Sequence, residues 1–203
     1  LQENRGTDLS EIIREQLLSL DGSDEWPSDD AFRREWTKRQ FYGYFRRERV
    51  LMILRAIEHH YQTKGDKTEP LMTFDWSQVQ IEHVMPQSWQ QHWPLPDGTT
   101  AEDRKASVQG IGNLTLVSQA LNPSMSNSAW AGSDQKPGKR EALNKHSIMH
   151  MNRRLLDQFK EEWSEDTIAT RAALLFEDAI VVWPRSTNAL PVSYALPPGA
   201  DAS

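Results

Sequence analysis

The chain has no cysteine among its 203 residues. Disulfides and Cys-based zinc sites are excluded, and a reducing cytoplasm is the expected setting. Long apolar runs are also missing. No stretch approaches the roughly 20 residues needed to span a bilayer, so no membrane association is expected. Leu1-Gln2-Glu3-Asn4 has neither the basic start nor the apolar run of a secretory signal. The first residue is not Met, so a fragment of a longer protein is expected.

Hydrophobic residues make up 37% and charged residues 26%, a balance that buries a core rather than leaving a disordered chain. The length suits one ordinary domain or two small ones. Net charge is −6, which by itself argues against a polyanionic partner. The distribution argues the other way. Residues 31–50 carry seven Arg or Lys against two Glu, and residues 136–154 carry six against one. Such clusters either bind phosphates or are solvated helix faces.

Apolar spacing predicts a helix over 8–20, with Leu9, Ile12, Ile13, Leu17 and Leu20 on one face. Ser28-Asp29-Asp30 reads as an N-cap and acidic first turn, leading into a basic and aromatic segment broken near Gly43. Val50, Leu51, Leu54, Ile57 and Tyr61 follow helical spacing. From Trp76 the pattern alternates through Val79 and Ile81, predicting a strand that delivers Glu82 and His83 at its end. Pro94 to Gly98 is an exposed turn, and Asn113 to Val117 is a second β-prone stretch. Residues 122–140 are irregular, and Lys139 to Phe159 is expected to be helical. Ser164 caps a last helix, lined by Ile168, Ala172, Leu175, Ala179 and Val182 and stopped at Trp183-Pro184. The expected class is α+β, a small ββα centre in a mainly helical domain. Its parts are a helical region 1–70, a central unit 71–160, a C-terminal helix 161–185 and a loose tail 186–203.

The chemistry concentrates in Ile81-Glu82-His83-Val84-Met85-Pro86-Gln87-Ser88, followed by Asn113, Asn122 and Asn127. Phosphodiester hydrolysis needs a base for the attacking water and a cation for the charge on the phosphate oxygens. Mg²⁺ takes hard oxygen ligands and keeps several waters, so one carboxylate and one amide oxygen suffice. Glu82 and Asn122 fit that role, and His83 fits the base. Neighbouring strand residues face opposite ways, so Glu82 and His83 converge only where the strand ends or bends. Asn113 is expected to brace the His83 loop, with Gly112 permitting a tight backbone path.

This run resembles the first block of HNH nucleases, the ββα-metal or His-Me finger superfamily. Asn113 matches the central asparagine of that motif, and Asn122 the second metal position; Asn127 is the alternative. Ile111 to Leu116, the stretch from Asn122 to Trp130, and Trp163, Ile168, Arg171 and Trp183-Pro184 look like one branch. It is the C-terminal nuclease domain of GmrSD-type modification-dependent restriction enzymes, found also in SspE-like phage-defence proteins. The resemblance spans residues 40–185. It implies a DNA endonuclease using Mg²⁺ or Mn²⁺, working with an upstream ParB-like, nucleotide-hydrolysing domain that senses DNA modification. Glu82 departs from the aspartate many HNH nucleases carry. The other function considered is a DNA-binding or regulatory module of the same fold without catalysis.

Further candidates surround this motif. Lys139 could contact a phosphate, and Arg46, Arg47, Lys136 and Arg140 are the expected DNA contacts. His146 and His150 have the spacing of a helical zinc pair but lack a following Glu and a third ligand. Trp89 and Trp93 suit core packing or base stacking.

Overall fold

The computed structural model describes residues 16, 19, 27–63, 75–121, 127–132 and 137–185. The helix expected over 8–20, the tail beyond 185, and the candidates Asn122 and Lys136 lie outside the described residues.

Ser28 opens helix α1 (Asp29–Lys38), its Oγ accepting from the Ala31 N–H at 3.2 Å. A short kinked turn, Phe41–Tyr44, leads into helix α2 (Arg47–Thr63), which buries Val50, Leu54 and Ile57 as its spacing predicts. Strand β1 (Val79–His83) alternates buried and half-buried positions and ends at His83. It pairs antiparallel with strand β2 (Leu114–Ser118), placing His83 opposite Leu114 and Glu82 opposite Thr115. The α+β class is therefore observed, with a two-stranded sheet inside a helical frame.

Two differences from the sequence reading affect the site. A helix, α3 (Ala101–Gln109), precedes β2 and was not expected. It buries only Arg104 and Val108, too few positions to make an apolar stripe. Its sequence signature is the capping box from Thr100 to Asp103. The helix expected from Lys139 to Phe159 is two helices, α4 (Lys139–His146) and α5 (His150–Gln158). The buried Glu58 carboxylate of α2 accepts from the His150 and Met151 N–H groups, both at 2.8 Å, and so caps α5 from outside. The break also puts His146 and His150 on different helices.

Helix α6 (Glu165–Val182) starts at a capping box formed by Ser164 and Thr167. It buries Ile168, Ala172, Leu175 and Ala179, while Val182 is only half-buried. Gly112 lies directly against it: a Cβ there would come 2.0 Å from the Ile168 carbonyl oxygen. Arg171 donates from Nη1 to the Gly112 and Leu114 carbonyls at 2.6 and 2.8 Å. Trp36 of α1 donates to the Ala172 carbonyl at 3.0 Å. The long helix thus anchors the turn that carries Asn113 into β2.

Apolar side chains form two clusters around the sheet. Leu54, Ile81, Leu114, Leu116 and Phe176 belong to one, and Val84, Met85, Val117, Leu143 and Trp163 to the other. The segment just after His83 is therefore buried rather than free to move.

Candidate active site

Adjacent positions on β1 send Glu82 and His83 to different neighbours. The His83 ring is buried, 7% exposed, and meets the Tyr42 ring edge-on at 4.5 Å between centroids. Its Nε2 lies 3.1 Å from Gln109 Oε1, at the end of α3. Gln109 donates from its own amide nitrogen to Gln87 Oε1 at 3.3 Å, consistent with its oxygen facing the ring. With the amide in that orientation its oxygen can only accept, and the neutral ring that meets it is the tautomer with its proton on Nε2. Burial pushes the imidazole down to about 4; the positive charge of Lys139 adds to this, and the Gln109 hydrogen bond opposes it. The ring is therefore neutral at neutral pH.

Glu82 faces Lys139, the first residue of α4. The Lys139 ammonium donates to Glu82 Oε1 at 2.5 Å and to the His83 carbonyl at 2.7 Å. Its side chain is fully buried, while that of Glu82 is 12% exposed. Burial pushes the ammonium below the usual lysine range, and the Glu82 carboxylate opposes this. A helix N-terminus disfavours a cation, so this lysine sits against a local electrostatic preference. Its helix start is fixed by backbone bonds from Lys139 and Arg140 to the Ala129 and Trp130 carbonyls, at 2.9 and 3.0 Å.

Asn113 closes the loop after His83. The Val84 N–H donates to the Asn113 carbonyl at 2.9 Å. The side-chain oxygen accepts from the Met85 N–H at 2.8 Å and from Trp163 Nε1 at 3.0 Å. The side-chain nitrogen donates to the Met85 and Val108 carbonyls at 2.8 and 2.9 Å. All four hydrogen-bonding positions of this buried amide are filled by protein, leaving none for a ligand. Asn113 therefore braces the segment after His83.

Glu82, His83, Asn113 and Lys139 thus come together around the end of β1. Asn127 stands exposed in a turn. Arg46 and Arg47 are exposed at the start of α2. Arg140 is half-buried, 3.9 Å from Glu141. Trp93 belongs to the core, and its Nε1 donates to the Ser128 carbonyl at 3.3 Å. Trp89 packs against that core beneath the Arg104 guanidinium. Sequence reasoning missed Tyr42 and Gln109 as partners of His83. Both are remote from it in the chain, and no local spacing ties them to it.

The Glu82 carboxylate is the kind of hard oxygen donor that a divalent cation keeping most of its water takes, and its Oε1 already accepts from Lys139. A site built wholly of protein ligands does not fit: the described residues contain no group of three or more His, Cys, Asp or Glu able to hold a metal. Nor, among the described residues, is any helix long and apolar enough to cross a membrane.

Residues 26–178 match the family model of the C-terminal domain of GmrSD restriction endonucleases. No curated protein and no solved structure matches the chain. The chain belongs to the GmrSD C-terminal domain family and is a restriction endonuclease domain acting on DNA.

Proposed function

We infer that this domain hydrolyses DNA phosphodiester bonds as an HNH-type nuclease, with His83 as general base and one divalent metal, Mg²⁺ or Mn²⁺. The carrying observation is the imidazole itself: buried, held through Nε2 by Gln109 and pushed down to about 4, it is neutral and can keep its lone pair on Nδ1. A neutral, oriented imidazole can take a proton from an attacking water. Asn113 keeps that ring in place by clasping the Met85 backbone. Glu82 would hold the metal, joined by the oxygen of Asn122, with Asn127 as the alternative. When bound, such a cation neutralises charge on the phosphate and stabilises the leaving oxyanion. Lys139 holds the Glu82 carboxylate and adds fixed positive charge nearby. Arg46, Arg47, Lys136 and Arg140 bind flanking phosphates.

One such site cuts one strand at a time, so nicking is the expected product. Recognition of modified DNA belongs to a ParB-like, nucleotide-hydrolysing sensor domain upstream, and the system acts in the cytoplasm against phage. Conversion of supercoiled plasmid with Mg²⁺, with Mn²⁺ and with EDTA tests this reading. Nicked circles with either metal and none with EDTA are expected. Cleavage undiminished by EDTA would overturn the metal-dependent mechanism.

A further inference from the structure

Near His83 lies an open cleft of about 740 Å³. Tyr42 and Gln109, the two side chains that contact His83, also line it. Those two side chains stand between the cleft and the imidazole, so the cleft adjoins the site by one residue layer. Gly43 shapes its wall. With φ at +89°, a backbone conformation glycine adopts without strain, it turns Tyr42 inward onto His83 and Tyr44 outward. Tyr44 is 64% exposed, and the Arg39 guanidinium lies 4.4 Å from its ring centroid.

The charge in the cleft favours an anion. Glu35 is its acid, and Arg39 holds it through Nε at 2.8 Å. Lys38 and Lys105 also line the cleft, both exposed, and neither joins an ion pair among the described residues. Gln87 and Gln109 add amide groups at the same wall. An exposed aromatic ring, unpaired cations and amides together are the equipment of a nucleotide subsite: a base stacks, phosphates meet lysines, and amides bond polar edges. An intact duplex hides its base faces, so the ring can be used only by an unpaired or extruded base.

We propose that this cleft binds an unpaired nucleotide of the DNA strand, next to the phosphate attacked at His83, with its base on Tyr44 and its phosphate at Lys105 and Lys38. This rests on the nuclease reading above and goes beyond it: the domain engages a distorted or single-stranded stretch rather than a plain duplex.

Titration of the protein in EDTA with a single-stranded oligonucleotide carrying 2-aminopurine tests the cleft without any cleavage. Stacking quenches the probe. Wild-type and Tyr44→Phe are expected to bind and quench alike. Tyr44→Ala, at an exposed site, should bind about tenfold more weakly and lose most of the quench. Lys105→Glu should weaken binding and lower the salt slope by about one. Wild-type affinity and quench in Tyr44→Ala would overturn the proposal, as would binding lost only in an Arg46→Glu/Arg47→Glu variant. If the plasmid is nicked in either of those cases, the nuclease reading stands without the cleft. Tyr44-dependent binding by a protein that nicks nothing would leave the cleft and overturn the nuclease reading.

Discussion

The Lys139 ammonium lies 2.5 Å from Glu82 Oε1 and also holds the carbonyl of His83. One buried cation therefore ties together the two residues to which we assign the chemistry. The two ends of this pair differ in exposure, and that difference is testable. Glu82→Gln strands a fully buried ammonium and is expected to cost about 3 kcal/mol in urea unfolding. Lys139→Met leaves a carboxylate that still reaches water and should cost less. Equal costs would contradict the argument from exposure, and no cost for Glu82→Gln would show that the pair contributes little to the fold.

Asn113→Ala removes an amide whose four bonds are all to buried groups. Each orphaned group costs about 1–3 kcal/mol, less whatever water recovers. A loss of about 4 kcal/mol and a fall in Tm of roughly 10 °C are expected by calorimetry. Because the amide has no capacity left for a ligand, nicking should fall in parallel with the disordering of the His83 loop. A variant of unchanged Tm and lost cleavage would instead put Asn113 in contact with substrate.

Gly112→Ala would drive a Cβ to 2.0 Å from the Ile168 carbonyl oxygen, and backbone there cannot step aside cheaply. Gly98→Ala meets nothing within 4 Å and strains only its positive φ. The first substitution is expected to cost well over about 3 kcal/mol, from overpacking and loss of the α6 contact, and the second about 1 kcal/mol. Comparable Tm values for the two would contradict the close packing of the Gly112 turn on α6.

Acid should weaken the fold through His83. Its pKa falls from 6.5 in the unfolded chain to about 4 in the folded one, so between those values the unfolded state binds more protons. The stability associated with the neutral ring is complete above pH 6.5 and is lost as pH falls toward 4, with a ceiling of about 3 kcal/mol. Urea unfolding of wild-type and His83→Gln across that window should show a steeper pH slope in the wild type. Parallel slopes would mean that the ring titrates normally in the folded protein.

Much of the frame is legible in the chain. β1 and α2 follow from alternation and helical spacing, and α6 follows from its Ser164 cap and apolar face. The Glu82-His83 pair is recognisable because strand and motif coincide. What is not legible depends on distant contacts. Glu58 divides the Lys139–Phe159 region from across the fold. Tyr42 and Gln109 reach His83 from separate elements, and no periodicity encodes that meeting. Helix α3 was hidden because its buried residues are so few.

The central claim is that the His83 imidazole is the base. Plasmid nicking by His83→Ala, measured beside wild-type protein with Mg²⁺ and with folding checked by circular dichroism, tests it most directly. We expect a rate at least about 100-fold lower in a folded protein, the usual contribution of a positioned base. A folded His83→Ala variant that nicks within a fewfold of the wild-type rate would contradict the account.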